Sequence, residues 1–166
     1  MTSPPEPLDE WHQLEPFTCR EPALDDWLHE HARSSQTGDS ARTYVIAAAD
    51  HLVIGYYCLS GFSVARGRAS SRLGSRQPDP LPGVLIGRLA VDRRFEGLGI
   101  GEALVTDALA RAARVAETVG MRAIFVDALH ESAAGYWQHH GFRPLRDNPL
   151  TLYLRMDDVR ATLAER

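Results

Sequence analysis

The sequence predicts a mixed α/β fold in which helices cover a central sheet, and three features carry that reading. A nearly continuous apolar run, Val84-Leu85-Ile86 through Leu89-Ala90-Val91, is the mark of a strand buried on both faces. The longest helical pattern follows, from Gly99 to Gly120. Leu104, Val105, Ala108, Leu109, Ala112, Val115, Ala116 and Val119 repeat at helical spacing, and Glu102, Asp107, Arg111, Arg114 and Glu117 occupy the opposite face. Between strand and helix, Gly97, Gly99 and Gly101 alternate.

The other elements follow from the same rules. After a Pro-rich start, Pro22 opens a helix expected to run to about Ser34, with Leu24, Trp27, Leu28 and His31 on one face. Arg42 to Ala49 and Leu52 to Leu59 are rich in Val, Ile and Tyr and flank Asp50-His51, the pattern of an antiparallel hairpin. From Ser63 to Gly83 the chain is small, polar and arginine-rich and closes with Pro78, Pro80 and Pro82, which predicts a surface excursion with at most a short helix. A strand over Ala123 to Leu129, a helix over Glu131 to His140 stopped by Gly141, a strand over Leu150 to Met156 and a short C-terminal helix complete the order. A length of 166 residues fits one domain spanning 1–166.

Composition excludes several chemistries. The net charge is −4, and all 18 basic residues are arginine. Without lysine there is neither a Walker-type phosphate loop nor a Schiff base. Cys19 and Cys58 are too few for a disulfide framework and read as small buried hydrophobes. His139-His140 face apart and His29/His31 are two apart, so no zinc pair is expected and the metal assignment is none. No stretch approaches the roughly 18 apolar residues of a membrane span, and MTSPPEPLDE lacks the regions of a signal peptide, so no membrane partner and a cytoplasmic location are expected.

The glycine segment admits three readings. A dinucleotide site wants G-x-G-x-x-G directly after its strand, but Glu102 stands in the third glycine's place and six residues, Asp92 to Gly97, intervene. A plain tight turn accounts for one or two of the glycines. The third reading is a diphosphate site: glycine backbone approaches a ligand closely, and the first turn of a helix offers amides without internal partners.

Arg94-Phe95-Glu96-Gly97-Leu98-Gly99 resembles the R/Q-x-x-G-x-G/A motif of GNAT acetyltransferases, and Gly141-Phe142 fits that family's C-terminal half. The resemblance implies a GNAT fold with acetyl-CoA as cofactor. It implies that Arg94, Glu96, Gly97, Leu98, Gly99, Ile100, Gly101 and Glu102 form the diphosphate loop, and that Leu89, Ala90 and Val91 line the pantetheine path on a splayed strand. A narrower resemblance spans nearly the whole chain. Phe17-Thr18-Cys19, Leu24-Asp25-Asp26-Trp27-Leu28, Arg42-Thr43-Tyr44-Val45, Gly55-Tyr56-Tyr57 and Gly87-Arg88-Leu89-Ala90-Val91-Asp92 are similar to the GNAT toxins of bacterial toxin-antitoxin pairs. That likeness implies acetylation of the α-amino group of aminoacyl-tRNA to block translation, charged tRNA and a ribbon-helix-helix antitoxin as partners, and a homodimer.

Acetyl transfer from a thioester to an amine needs a neutral amine, a polarised carbonyl and a proton for the leaving thiolate. An α-amine titrates near pH 8 and is partly neutral in the cell, so no strong base is required. Asp92 and Glu96 are weak candidates for one. The toxin resemblance implies a tyrosine general acid four residues before the Gly-Phe pair, and that position is Trp137, with Tyr136 one residue earlier. Neighbours on a helix point about 100° apart, and an indole N–H is no acid at physiological pH. Three routes stay open: Tyr136 reaching the sulfur through a helix distortion, proton supply by water, or weak catalysis. Catalytic candidates are therefore Tyr136 and Trp137, and among the histidines His130 is read either as the one nearest substrate or as the start of the next helix.

Candidates for substrate or RNA contact are Arg42, Arg88, Arg93 and the run Arg66, Arg68, Arg72 and Arg76, read as a mobile basic arm or as a solvated loop. Two further functions remain: acetylation of a protein N-terminus or small amine, and an acetyl-CoA-binding protein with little turnover.

Overall fold

The computed structural model describes residues 2–166. Seven strands hydrogen-bond in the order β1-β2-β3-β4-β5-β7-β6, and helices intervene along the chain, as the pattern predicts. The chain forms two compact units, one reaching to Ser60 and including Gly87–Ala108, the other comprising Gly61–Ile86 and Leu109–Arg166.

In the first unit, β1 (Glu6–Pro7) pairs antiparallel with β2 (Arg42–Ala47), and β2 with β3 (Val53–Val64). The hairpin is as expected, but its turn is a 3₁₀ helix over Ala49–His51. α1 (Pro22–Glu30) starts on a proline, whose missing N–H costs nothing in a first turn. It does not run to Ser34. At His31 the backbone leaves helical geometry (φ −124°, ψ −21°) and restarts as α2 (Ala32–Thr37). Arg33 donates to the carbonyls of Asp9 and His12, tethering α2 to the N-terminal segment. Ala32 is fully buried beside Leu28, whereas His31, expected on the apolar face, is exposed.

In the second unit, β3 extends to Val64 and β4 (Leu81–Val91) begins at Leu81, so the excursion is shorter than expected. It contains a 3₁₀ turn (Arg66–Arg68) and α3 (Ser71–Gly74). Leu73 is fully buried in a core with Val64, Ala69, Leu81, Phe125 and Tyr153, and Arg122 donates to the Leu73 carbonyl. β4 pairs parallel with β5 (Ala123–Asp127) from Gly83 to Ile86; β5 pairs antiparallel with β7 (Thr151–Arg155), and β7 with β6 (Arg143–Pro144). A side chain at Gly83 would meet the Phe125 ring at 2.3 Å and the Ala123 carbonyl at 2.8 Å, so glycine is required there for space. α5 (Glu131–His139) and α6 (Met156–Ala164) complete the unit.

α4 (Ile100–Thr118) begins in the first unit and ends in the second. Leu104, Val105, Ala108, Leu109 and Ala112 are buried, but Val115 and Val119 are 39% and 53% exposed. Helical periodicity reports that a face is apolar, not that protein covers all of it.

Candidate active site

The glycine loop opens from β4 through a buried carboxylate. Asp92 ends the strand with its amide bonded to the Ile54 carbonyl and its side chain fully buried. That side chain accepts from the amides of Thr18 (3.1 Å) and Arg94 (2.9 Å) and from the Arg94 guanidinium through Nε (3.0 Å) and Nη2 (2.9 Å). Burial alone would raise its pKa, but the hydrogen bonds from Arg94 and Thr18 and the Arg94 charge outweigh that and hold it below the usual carboxylate range. A carboxylate so occupied is a structural clamp, not a base. Arg94 also donates to the Pro16 carbonyl, so its guanidinium frames the loop from outside. The strapping continues through Thr18, whose hydroxyl donates to Asp25, and Cys19, whose amide does the same. Glu96 pairs with Arg20 across exposed surface.

Beyond a 3₁₀ turn over Arg93–Phe95, Gly97 and Gly99 adopt φ of +76° and +82°, the left-handed region that glycine enters without strain. No atom lies within 4 Å of a Cβ built on either, so their backbone faces open space. Gly101 lies in the first turn of α4. The helix is seated closely at this end, since a side chain at Gly55 would meet Ile100 at 2.8 Å and Leu104 at 3.1 Å. Tyr57 beneath it donates to Asp107. First-turn amides, which have no partner within the helix, behind left-handed glycines make a cradle suited to a diphosphate. Leu89, Ala90 and Val91 belong to the stretch of β4 that runs past Ile86, its last residue paired with β5.

On the α1 side of the same unit, the Arg88 guanidinium lies 4.5 Å from the centre of the Trp27 ring. Trp27 stacks on Tyr56 (6.1 Å between centroids, 8° between planes), and the Tyr56 hydroxyl donates to the Leu24 carbonyl. Burial raises the thiol pKa of Cys58, and burial with Asp25 raises that of Cys19 to about 12, so neither is a nucleophile at neutral pH.

In the second unit, α5 runs unbroken from Glu131 to His139. Trp137 is buried and packs edge-on against Phe142 at 5.2 Å, while Tyr136 is 38% exposed, its ring 4.8 Å from that of His140. No distortion turns Tyr136 into the direction of Trp137, so the route through a bent helix loses its premise. His130 caps this helix, its Nδ1 accepting from the Ala133 amide.

Three of the four arginines in the run are held against the fold. Arg66 donates to the Gln77 carbonyl, Arg68 pairs with Asp147, and Arg72 pairs with Asp158; Arg76 is exposed. Arg42 pairs with Asp39, and exposed Arg93 uses its amide on the Thr18 carbonyl. The acids that neutralise Arg68 and Arg72 lie about 80 residues away in sequence, so the run looked uncompensated until the chain was folded.

The sequence pattern of the Acetyltransferase (GNAT) family matches residues 7–142. The chain belongs to that family. Among GNAT relatives, it is 37% identical to a "tRNA-acetylating toxin" of Mycobacterium tuberculosis, over 98% of both chains. It is 27% identical to a "probable toxin TacT" of Sinorhizobium fredii, over 95% of this chain and 93% of that one. Of solved GNAT structures, AtaT complexed with acetyl-methionyl-tRNAfMet superposes with a TM-score of 0.89 at 29% identity, covering 97% and 98% of the two chains. AtaTR bound with acetyl-CoA gives 0.82 at 29% identity, covering 96% of each. The sheet order and the helices agree with this GNAT-like fold.

Sequence reasoning missed the clamp at Asp92 and the Arg88–Trp27–Tyr56 stack. An acid two residues before an arginine at a strand end was a usable signal for the first. Nothing in spacing pairs position 27 with position 88.

Proposed function

We propose that this chain is an acetyl-CoA-dependent N-acetyltransferase whose acceptor is the α-amino group of an aminoacyl-tRNA. The observation that carries the cofactor half is the pair of left-handed glycines facing open space at the start of α4. The acceptor half rests on likeness to the tRNA-acetylating toxin over 98% of its length. Bound here, acetyl-CoA supplies the acetyl thioester. The backbone amides from Glu96 to Glu102 hold its diphosphate, Leu89, Ala90 and Val91 flank the pantetheine, and a strand amide near Leu89 or Ala90 polarises the acetyl carbonyl. Arg94 serves indirectly, by holding the loop through Asp92.

Asp92 is occupied by Thr18 and Arg94 and Glu96 pairs with Arg20, which suits an α-amine that is partly neutral at cellular pH and needs no strong base. We assign protonation of the leaving thiolate to water, with the exposed Tyr136 phenol as the side chain to test. An acetyl-CoA-binding protein of weak turnover is the second reading, and the buried indole at 137 favours it. A cytoplasmic toxin neutralised by a ribbon-helix-helix antitoxin, acting as a homodimer of one domain spanning 1–166, completes the reading. AtaT, solved with the C-terminus of the antitoxin AtaR, supports the antitoxin.

The test is transfer of labelled acetyl groups from acetyl-CoA to a panel of charged tRNAs, a peptide N-terminus and a simple amine. Transfer to the aminoacyl group is expected, and transfer only to the other acceptors ends this reading. Tyr136→Phe is expected to leave more than about a third of the rate, since water carries the proton, whereas a loss of about a hundredfold would return that role to the phenol. If only Trp137→Tyr turns over, the weak-binder reading stands.

A further inference from the structure

Arg88 differs from the arginines of this fold that pair with acids. Arg20, Arg42, Arg68, Arg72 and Arg94 each lie against a carboxylate. Arg88 is half-buried, and its guanidinium lies over the face of Trp27. A ring face attracts a cation but does not cancel its charge. The group is also rigid. Trp27 is backed by Tyr56, the Tyr56 hydroxyl is tied to Leu24, and Phe17 closes on the Tyr56 ring at 5.6 Å. A guanidinium covered on one face keeps its edge for binding, and that edge is a fork matched to phosphate or carboxylate oxygens.

Its place on β4 says which anion can use it. Side chains alternate along a strand, so Arg88 shares a face with Ala90, which packs in the α1-side core with Tyr56. Gly55, next to Tyr56 on β3, points instead toward Ile100 and Leu104 of α4. Arg88 therefore lies on the sheet face opposite the helix whose first turn is assigned to the cofactor diphosphate. It is one or two residues from Leu89 and Ala90, near which the reacting carbonyl is assigned. An anion bound there belongs to the acceptor.

We propose that Arg88, held flat by Trp27, anchors a backbone phosphate at the 3′ end of the charged tRNA and so registers the aminoacyl group against the thioester. The proposal rests on the aminoacyl-tRNA reading above. An acidic aminoacyl side chain carries similar oxygens, and the experiment separates the two sources.

Acetyl transfer by wild type, Arg88→Gln, Arg88→Lys and Trp27→Leu is measured on tRNAs charged with neutral and with acidic amino acids across a salt series. A neutral amino acid methyl ester serves as a phosphate-free acceptor, and acetyl-CoA affinity is followed by calorimetry. Arg88→Gln is expected to lower kcat/KM on neutral charged tRNA about tenfold or more, chiefly through KM, and to flatten the logarithmic salt dependence by about 0.7. Arg88→Lys should fall between the two, because it keeps the charge and loses the fork. Trp27→Leu should follow Arg88→Gln with a smaller loss, while methyl-ester transfer and acetyl-CoA affinity stay within about twofold. An unchanged salt dependence, an equal loss on the methyl ester, or a loss confined to acidic aminoacyl groups overturns the phosphate anchor. If wild type acetylates the methyl ester but no charged tRNA, the acceptor reading fails and the anchor with it; normal tRNA acetylation by Arg88→Gln would sink the anchor alone.

Discussion

β4 is entered from an arginine-rich excursion and left through a glycine loop, and the fold departs from what composition suggests in the first and follows it in the second. The excursion looks like a mobile binding arm, yet Arg68 and Arg72 pair with acids and Leu73 is buried in a core. The loop reads as a diphosphate site, and its glycines hold left-handed backbone in open space over a root strapped by Asp92. Even the glycines differ. Gly83, where the excursion joins β4, is glycine because Phe125 fills the room for a side chain, whereas Gly97 and Gly99 are glycine for their φ. A glycine required for space serves packing, and one required for backbone direction with nothing beside it leaves room for a ligand.

The sharpest way to break this contrast is substitution at the two kinds of glycine and at the clamp. Gly83→Ala is expected to destabilise the fold by about 3 kcal/mol through overpacking, lowering the midpoint of thermal unfolding by roughly 6–12 °C. Acetyl-CoA affinity of the remaining folded protein should be unchanged by calorimetry. Asp92→Asn removes a buried charge from its Arg94 and Thr18 donors and is expected to cost about 2 kcal/mol, with a raised Kd for acetyl-CoA because the loop root loosens.

Acid should give the same answer as Asp92→Asn. Because the folded carboxyl titrates below its ordinary value of 3.8, its stabilising contribution is fully present above about pH 4 and is lost as the pH falls through the lowered folded value. Denaturation curves of wild type and Asp92→Asn should therefore converge in strong acid, and parallel curves throughout would remove the clamp from the account. Gly99→Ala places a side chain at positive φ and costs about 1 kcal/mol, read as roughly fivefold weaker acetyl-CoA binding with little change in thermal midpoint. The smallest effect is expected from Arg68→Gln with Arg72→Gln. These exposed pairs contribute less than about 1 kcal/mol in total, and acetyl transfer to charged tRNA should stay within about threefold. A large loss there would restore the excursion as an RNA-binding arm.

Much of the architecture was legible in the sequence because it depends on neighbours along the chain. The buried run ending at Val91, the helical repeat after Gly99 and the hairpin around Asp50-His51 are local patterns, and each element formed close to where its pattern lies. The glycine spacing was equally local. The errors were of one kind. The break at His31, the exposure of Val115 and Val119, and the neutralised arginines all depend on what arrives from elsewhere: Arg33 reaching Asp9 and His12, a core that ends before α4 does, and Asp147 and Asp158 meeting Arg68 and Arg72.

By itself the sequence determined the main strands and helices, and that the turn before the long helix has the backbone freedom to hold a diphosphate. Backbone preference and side-chain period act over a few residues, so they are written in order along the chain. Only the tertiary structure decided which charges are cancelled and which are left to act. Asp92 became a clamp because Thr18 and Arg94 meet it, and Arg88 kept its charge because it came to rest on an indole instead of an acid.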